Sequence, residues 1–268
     1  MSAQFTLLLY ALHLQVSPTT AGLLVSLAGL GPVLIAISIG KLIDRKGGRP
    51  PMLMALAGQI AGAALPFLWS ALPALFAASF VNGLCFIVFR IGSQHAAGSM
   101  GNAGDRAANY SLLGLGYSAS AIAAPLCAGF AIERYGYAPT FLVVSLLPLF
   151  PLAAIGLNFL RIPGPASAAA AGAGRGSTFA LLAEPNLRRV FIATVLMGSA
   201  WDLFVFLVPL YGSQLRLPAS RIGLLSGTFA GGALFVRAIT TLVLRRFTPW
   251  QILITPEDFV EHFDAMAR

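Results

Sequence analysis

Apolar residues run along this chain in blocks of about twenty, and polar residues gather in the short stretches between them. Twenty residues rising about 1.5 Å each cover about 30 Å, the thickness of the hydrocarbon core of a bilayer. The pattern predicts membrane-spanning helices over residues 20–40, 52–70, 72–92, 109–132, 138–160, 189–212 and 222–244, with a partial one over 3–15. These blocks are apolar all round, so periodicity does not fix which side of each helix faces lipid.

Composition agrees: 57% of residues are hydrophobic and 10% charged, against the roughly 25% charged of a soluble domain. An integral, multi-pass, all-α membrane protein follows, with the lipid bilayer as its first partner. Lys41, Arg45, Lys46 and Arg49 follow the 20–40 block, Arg161, Arg175, Arg188 and Arg189 occupy a long central segment, and Arg245 and Arg246 end the last block. The positive-inside rule makes these loops cytoplasmic. The opposite loops hold Arg134, offset by Glu133, together with Arg216 and Arg221. The net charge of +8 therefore reports orientation and not nucleic-acid binding. Neither a basic leader region nor a small-residue cleavage site opens the chain, and a bacterial inner membrane is the expected location. Cys85 and Cys127 lie inside spans, as small packing residues rather than a disulfide. No metal-ligand spacing, nucleophile elbow or phosphate-cradling loop is present, which leaves no case for an enzyme or a cofactor.

Residues 1–161 read as a six-helix bundle whose first helix is incomplete, 162–187 as an Ala/Gly/Pro cytoplasmic linker, and 188–253 as the first two helices of a second bundle. Residues 254–268 form an acidic, non-membrane helical tail opened by Thr255-Pro256-Glu257-Asp258. An offset of 201 pairs Tyr10 with Tyr211, Leu14 with Leu215, Gly22 with Gly223, Gly31 with Gly232 and Arg45 with Arg246. Matching loops and orientation make this a parallel repeat, with the halves related by an axis along the membrane normal.

The turn after the second helix reads Gly40-Lys41-Leu42-Ile43-Asp44-Arg45-Lys46-Gly47-Gly48-Arg49. With the repeat, it makes the chain resemble a major facilitator superfamily transporter, whose fold is two six-helix bundles. Gly40, Asp44, Arg45, Gly47 and Arg49 match the family's opening motif, and Gly48 stands where a base is usual. The resemblance implies a cytoplasmic gating turn: Gly40 for close helix approach, Asp44 and Arg45 for reversible charge contacts, Gly47 and Gly48 for the tight turn. A plain positive-inside anchor is the alternative. In the fifth helix, Pro125 and Gly129 of Ala124-Pro125-Leu126-Cys127-Ala128-Gly129 resemble part of a motif of proton-driven exporters, and equally suit small-residue packing. The arginine common in the family's fourth helix is replaced by Ser79, four residues before Gly83.

Asp202 lies near the bilayer midplane by helical rise, where a carboxylate costs several kcal/mol unless paired, protonated or wetted. It is the candidate proton carrier or the reader of a cationic solute group; a protonated Asp bonded to a neighbouring helix is the bland reading. Arg237, one helix on, either shares that pathway through a water bridge or snorkels to the cytoplasmic face. Arg90 is expected at the end of its helix, against lipid phosphate or terminal carbonyls. Glu133 and Arg134 read as a surface pair, and His13 and His95 as solvated polar residues.

At the repeat offset Met1 corresponds to Asp202, so the first helix is expected to lack its first half, and the tail to replace four further helices. The function expected from the resemblance is alternating-access transport of a small organic solute, coupled to protons as an efflux antiporter, in a truncated form. The alternative is a non-transporting assembly subunit, completed by a second membrane chain, or an inactive fragment.

Overall fold

The computed structural model describes residues 2–101, 105–159, 162 and 184–243. Most of the expected linker and all of the acidic tail lie outside these residues, as does the side chain of Arg237. The described residues contain helices and no strand: α1 (Ser2–His13), α2 (Pro18–Lys46), α3 (Arg49–Leu68), α4 (Leu72–Ser99), α5 (Arg106–Tyr135), α6 (Tyr137–Leu146), α7 (Leu149–Gly156), α8 (Pro185–Gln214) and α9 (Ala219–Val243). Six spans among them are long and apolar enough to cross a membrane, α6 and α7 counting as one, and α2 makes a seventh if its bent halves count as one.

Local chemistry sets the boundaries. Ser17 caps α2, its hydroxyl oxygen accepting from the Thr20 N–H at 3.1 Å, and Pro18 fits the first turn, where its missing N–H is no loss. Gly47 ends α2 at φ 81°, a conformation that favours glycine, with its N–H bonded to the Ile43 carbonyl at 2.8 Å. Gly48 has an ordinary φ of −75°, so its smallness serves packing rather than the dihedral. α2 bends by 43° between Val33 and Ile35, just after Pro32 removes a ladder donor. The block expected as one span over 138–160 is one candidate span, Tyr137–Gly156, interrupted between α6 and α7 at Leu147 and Pro148, where proline cannot supply the next helical N–H.

The exterior is as apolar as the core, which is built on residues such as Leu7, Leu56, Leu75 and Phe141. Thr6, Ser79, Asn82, Ser93, Thr140 and Ser145 are buried, while Val33, Phe150 and Met197 are about four-fifths exposed. Leu23, Leu30, Val33 and Ile37 are exposed along one stripe of α2, whereas Ala21, Leu24 and Ala28 are buried on another. Many large apolar residues thus face outward, where a bilayer would solvate them, and small ones let helices approach closely. At the α2–α4 crossing the Ser79 hydroxyl donates to the Leu24 carbonyl at 2.7 Å, and Gly83 lies directly on the Ala28 backbone. Ser79, which stands where the family often has arginine, is thus part of a packing seam.

The repeat is visible in the backbone. α1 and α8 both end in a Schellman turn with a non-glycine residue at positive φ, Gln15 at 57° and Arg216 at 54°. Gln15 N–H bonds Leu12 O and Val16 N–H bonds Ala11 O; 201 residues on, Arg216 N–H bonds Ser213 O and Leu217 N–H bonds Gly212 O. The same hydrogen bonds at the same offset make residues 10–17 and 211–218 one turn used twice.

Met1–Gly227 forms one compact unit and Thr228–Arg268 another. Residues 228–243 of the second are helical, with Phe235, Val236 and Ile239 exposed.

Candidate functional site

α8 touches α1 and α2 toward its Gln214 end, where Leu210 joins Leu8, Leu12 and Ala21 in a buried cluster. Residues 187–200 are all exposed. Within the first unit, α8 therefore meets the earlier helices at the end remote from the basic turn 41–49 and stands clear of them toward the basic end.

Asp202 sits about 26 Å from the start of α8 by helical rise. It is exposed, and the positive charge acting on its carboxylate is that of Arg90 in α4. Among the described residues neither forms an ion pair, so Arg90 acts on Asp202 only through its longer-range field. Arg90 is not at a helix end. α4 runs on to Ser99, which leaves Arg90 about 13 Å inside it. Residues 91–99 hold small and polar residues but no proline, so an apolar-length rule ends the span early while the helix continues. The Arg90 guanidinium lies 5.9 Å from the centre of the Tyr117 ring in α5, within cation–π range. The Tyr117 hydroxyl shares a 2.7 Å hydrogen bond with Ser93 Oγ, and Ser93 donates to the Arg90 carbonyl at 2.9 Å. Tyr117 and Ser93 carried no motif in the sequence; only the α4–α5 contact reveals them.

The basic turn packs against α4 and α7. Arg49 donates from Nη2 to the Gly156 carbonyl at 3.1 Å, a guanidinium placed at the negative end of α7. A Cβ on Gly48 would lie 3.4 Å from Ile162 and 3.7 Å from the Gly92 carbonyl, which holds the turn close to α4. His95, expected to be solvated, has a side chain only 19% exposed, with Nε2 3.8 Å from Asp44 Oδ1; its Nδ1 is buried without a hydrogen-bond partner. Arg45 is exposed. A Cβ on Gly40 would meet nothing within 4 Å among the described residues; α2 packs on α4 through its Ala28 and Gly31 face.

At the opposite end α5 and α9 cross almost backbone to backbone. A Cβ on Gly129 would fall 2.5 Å from the Ala219 carbonyl oxygen, and one on Gly223 would strike the Pro125 carbonyl. Around the crossing Phe5, Leu9, Ala128, Ile132 and Ile222 form one buried cluster. One turn beyond Gly129, Glu133 turns to α9 rather than pairing with Arg134: its Oε2 accepts the Ser220 N–H at 3.3 Å. A cavity of about 170 Å³ lies beside this seam, lined by His13, Gln15, Tyr137 and Arg216 among others.

Among the described residues no three His, Cys, Asp or Glu side chains group as a metal site. Comparison with curated proteins finds no match. A family model described as the Major Facilitator Superfamily matches residues 1–255 of the 268, and the chain, a helical bundle with a repeated turn, belongs to that superfamily of membrane solute transporters.

Proposed function

We propose that the chain moves a small organic solute by alternating access, with proton movement coupled to efflux, and that Asp202 is the residue that exchanges the proton or the solute's cationic group. The observation that carries this reading is a pair of opposite charges, Asp202 in α8 and Arg90 in α4, each well inside its helix and with the field of Arg90 reaching Asp202. Intramembrane charges are expensive and persist mainly where water, solute or a partner reaches them. Arg90 then serves as the fixed positive charge, braced on Tyr117, against which the state of Asp202 is read. Arg237 is a second candidate for the pathway on its depth in α9. Gly47, Asp44, Arg45 and Arg49 form the gating turn at the end that the Lys and Arg distribution assigns to the cytoplasm, with Gly40 on the face of α2 left open for a moving neighbour.

The test is proton flux in proteoliposomes loaded with a pH-sensitive dye and offered a panel of small organic amines and carboxylates. Solute-driven proton movement is expected in the parent and is lost in Asp202→Asn. Undiminished proton movement in Asp202→Asn refutes the reading.

A further inference from the structure

The two copies of the repeated turn differ in one respect that the offset makes plain. Ser17 caps α2 with its own side chain, but its counterpart 201 residues on is Pro218, whose side chain accepts nothing. The orphan N–H groups at the start of α9 need another acceptor. Glu133 supplies it from α5, its Oε2 accepting from Ser220 N–H, and its negative charge lies at the positive end of the α9 dipole. A cap that is local in the first copy is therefore borrowed, in the second, from a different helix. The approach that permits the loan is built in: Pro125, Gly129 and Glu133 recur every four residues on one face of α5, and the first two abut Gly223 and Ala219.

Glu133 also has a counterpart at the basic end. Ile43-Asp44-Arg45-Lys46-Gly47 and Ile132-Glu133-Arg134-Tyr135-Gly136 share an acid, an arginine and a glycine at matching positions. Both glycines end their helices at nearly the same φ, 81° and 82°, each with a 2.8 Å bond back to the isoleucine carbonyl. The two acids thus leave the ends of α2 and α5 in the same local geometry, at opposite ends of the bundle.

We propose that Glu133 is a positioning residue for transport: a conditional cap that ties α5 to the start of α9 while the end remote from the basic turn is closed, and lets go when that end opens. The inference rests on the alternating-access reading above. Opening separates Glu133 from Ser220, so the α9 terminus loses its acceptor and the open state bears that loss. Because Glu133 is exposed, solvent weakens the contact, and its removal shifts the closed-to-open ratio by about three- to tenfold.

The experiment is a distance measurement between spin labels at Tyr135→Cys and Leu215→Cys, both exposed positions near the seam. It uses the full chain in lipid nanodiscs, with Cys85 and Cys127 replaced by alanine in every variant. The parent is expected to show a short and a long distance, and Glu133→Ala to enrich the long one by the factor above, with Glu133→Gln in between. A second variant, Glu133→Ala with Pro218→Ser, gives α9 the local cap that Ser17 gives α2. It is expected to recover thermal stability while the long distance stays enriched, since a local cap does not tie two helices together. Unchanged populations in Glu133→Ala, or their full restoration by Pro218→Ser, overturn the inference and leave alternating access standing. A single distance in the parent and all variants overturns both.

Discussion

Replacing Gly129 by alanine is the sharpest test of the α5–α9 crossing. The added Cβ would lie 2.5 Å from the Ala219 carbonyl oxygen and 3.2 Å from the Gly223 Cα. A comfortable C···O contact is about 3.3 Å or more, so the helices must separate by about 0.8 Å. The obstruction is backbone on a helix, which cannot rotate aside as a side chain could. Overpacking of this kind costs about 1–3 kcal/mol, while alanine's better helix propensity returns up to about 1 kcal/mol. Gly116→Ala removes that ambiguity: Gly116 lies in the same helix, and a Cβ there meets nothing within 4 Å among the described residues. The propensity gain cancels between the two variants, leaving Gly129→Ala less stable than Gly116→Ala by about 1–3 kcal/mol. Reversible unfolding in mixed micelles, titrated with a denaturing detergent and followed by circular dichroism, measures the difference. Equal midpoints and slopes for the two variants would show that the seam is not closed at this glycine.

Ser79→Ala removes the buried hydroxyl that donates to the Leu24 carbonyl. That carbonyl keeps its place in the α2 ladder, so the same titration should show a loss of only about 0.6–1.7 kcal/mol, and a larger loss would mean that Ser79 does more than join two helices. The positive-inside assignment predicts that Lys46→Cys in intact cells is protected from a membrane-impermeant maleimide while Arg216→Cys is labelled; the reverse pattern would invert the topology.

Much of this protein was legible in the sequence. Blocks of about twenty apolar residues fixed the existence and order of the spans, because the bilayer sets their length. Gly47 marked a tight turn through chemistry that acts within a few residues, and the offset of 201 anticipated a backbone turn that recurs bond for bond. Helix rotation was not legible, since spans that are apolar all round carry no periodic signal of which face packs. The tertiary structure alone decided that the charge of Arg90 reaches Asp202 from 112 positions away and that His95 approaches Asp44. It alone decided that Glu133 caps a helix 87 positions on. A partner drawn from a distant helix is chosen by rotation and approach, and those depend on where small residues such as Gly83, Gly129 and Gly223 let two backbones meet.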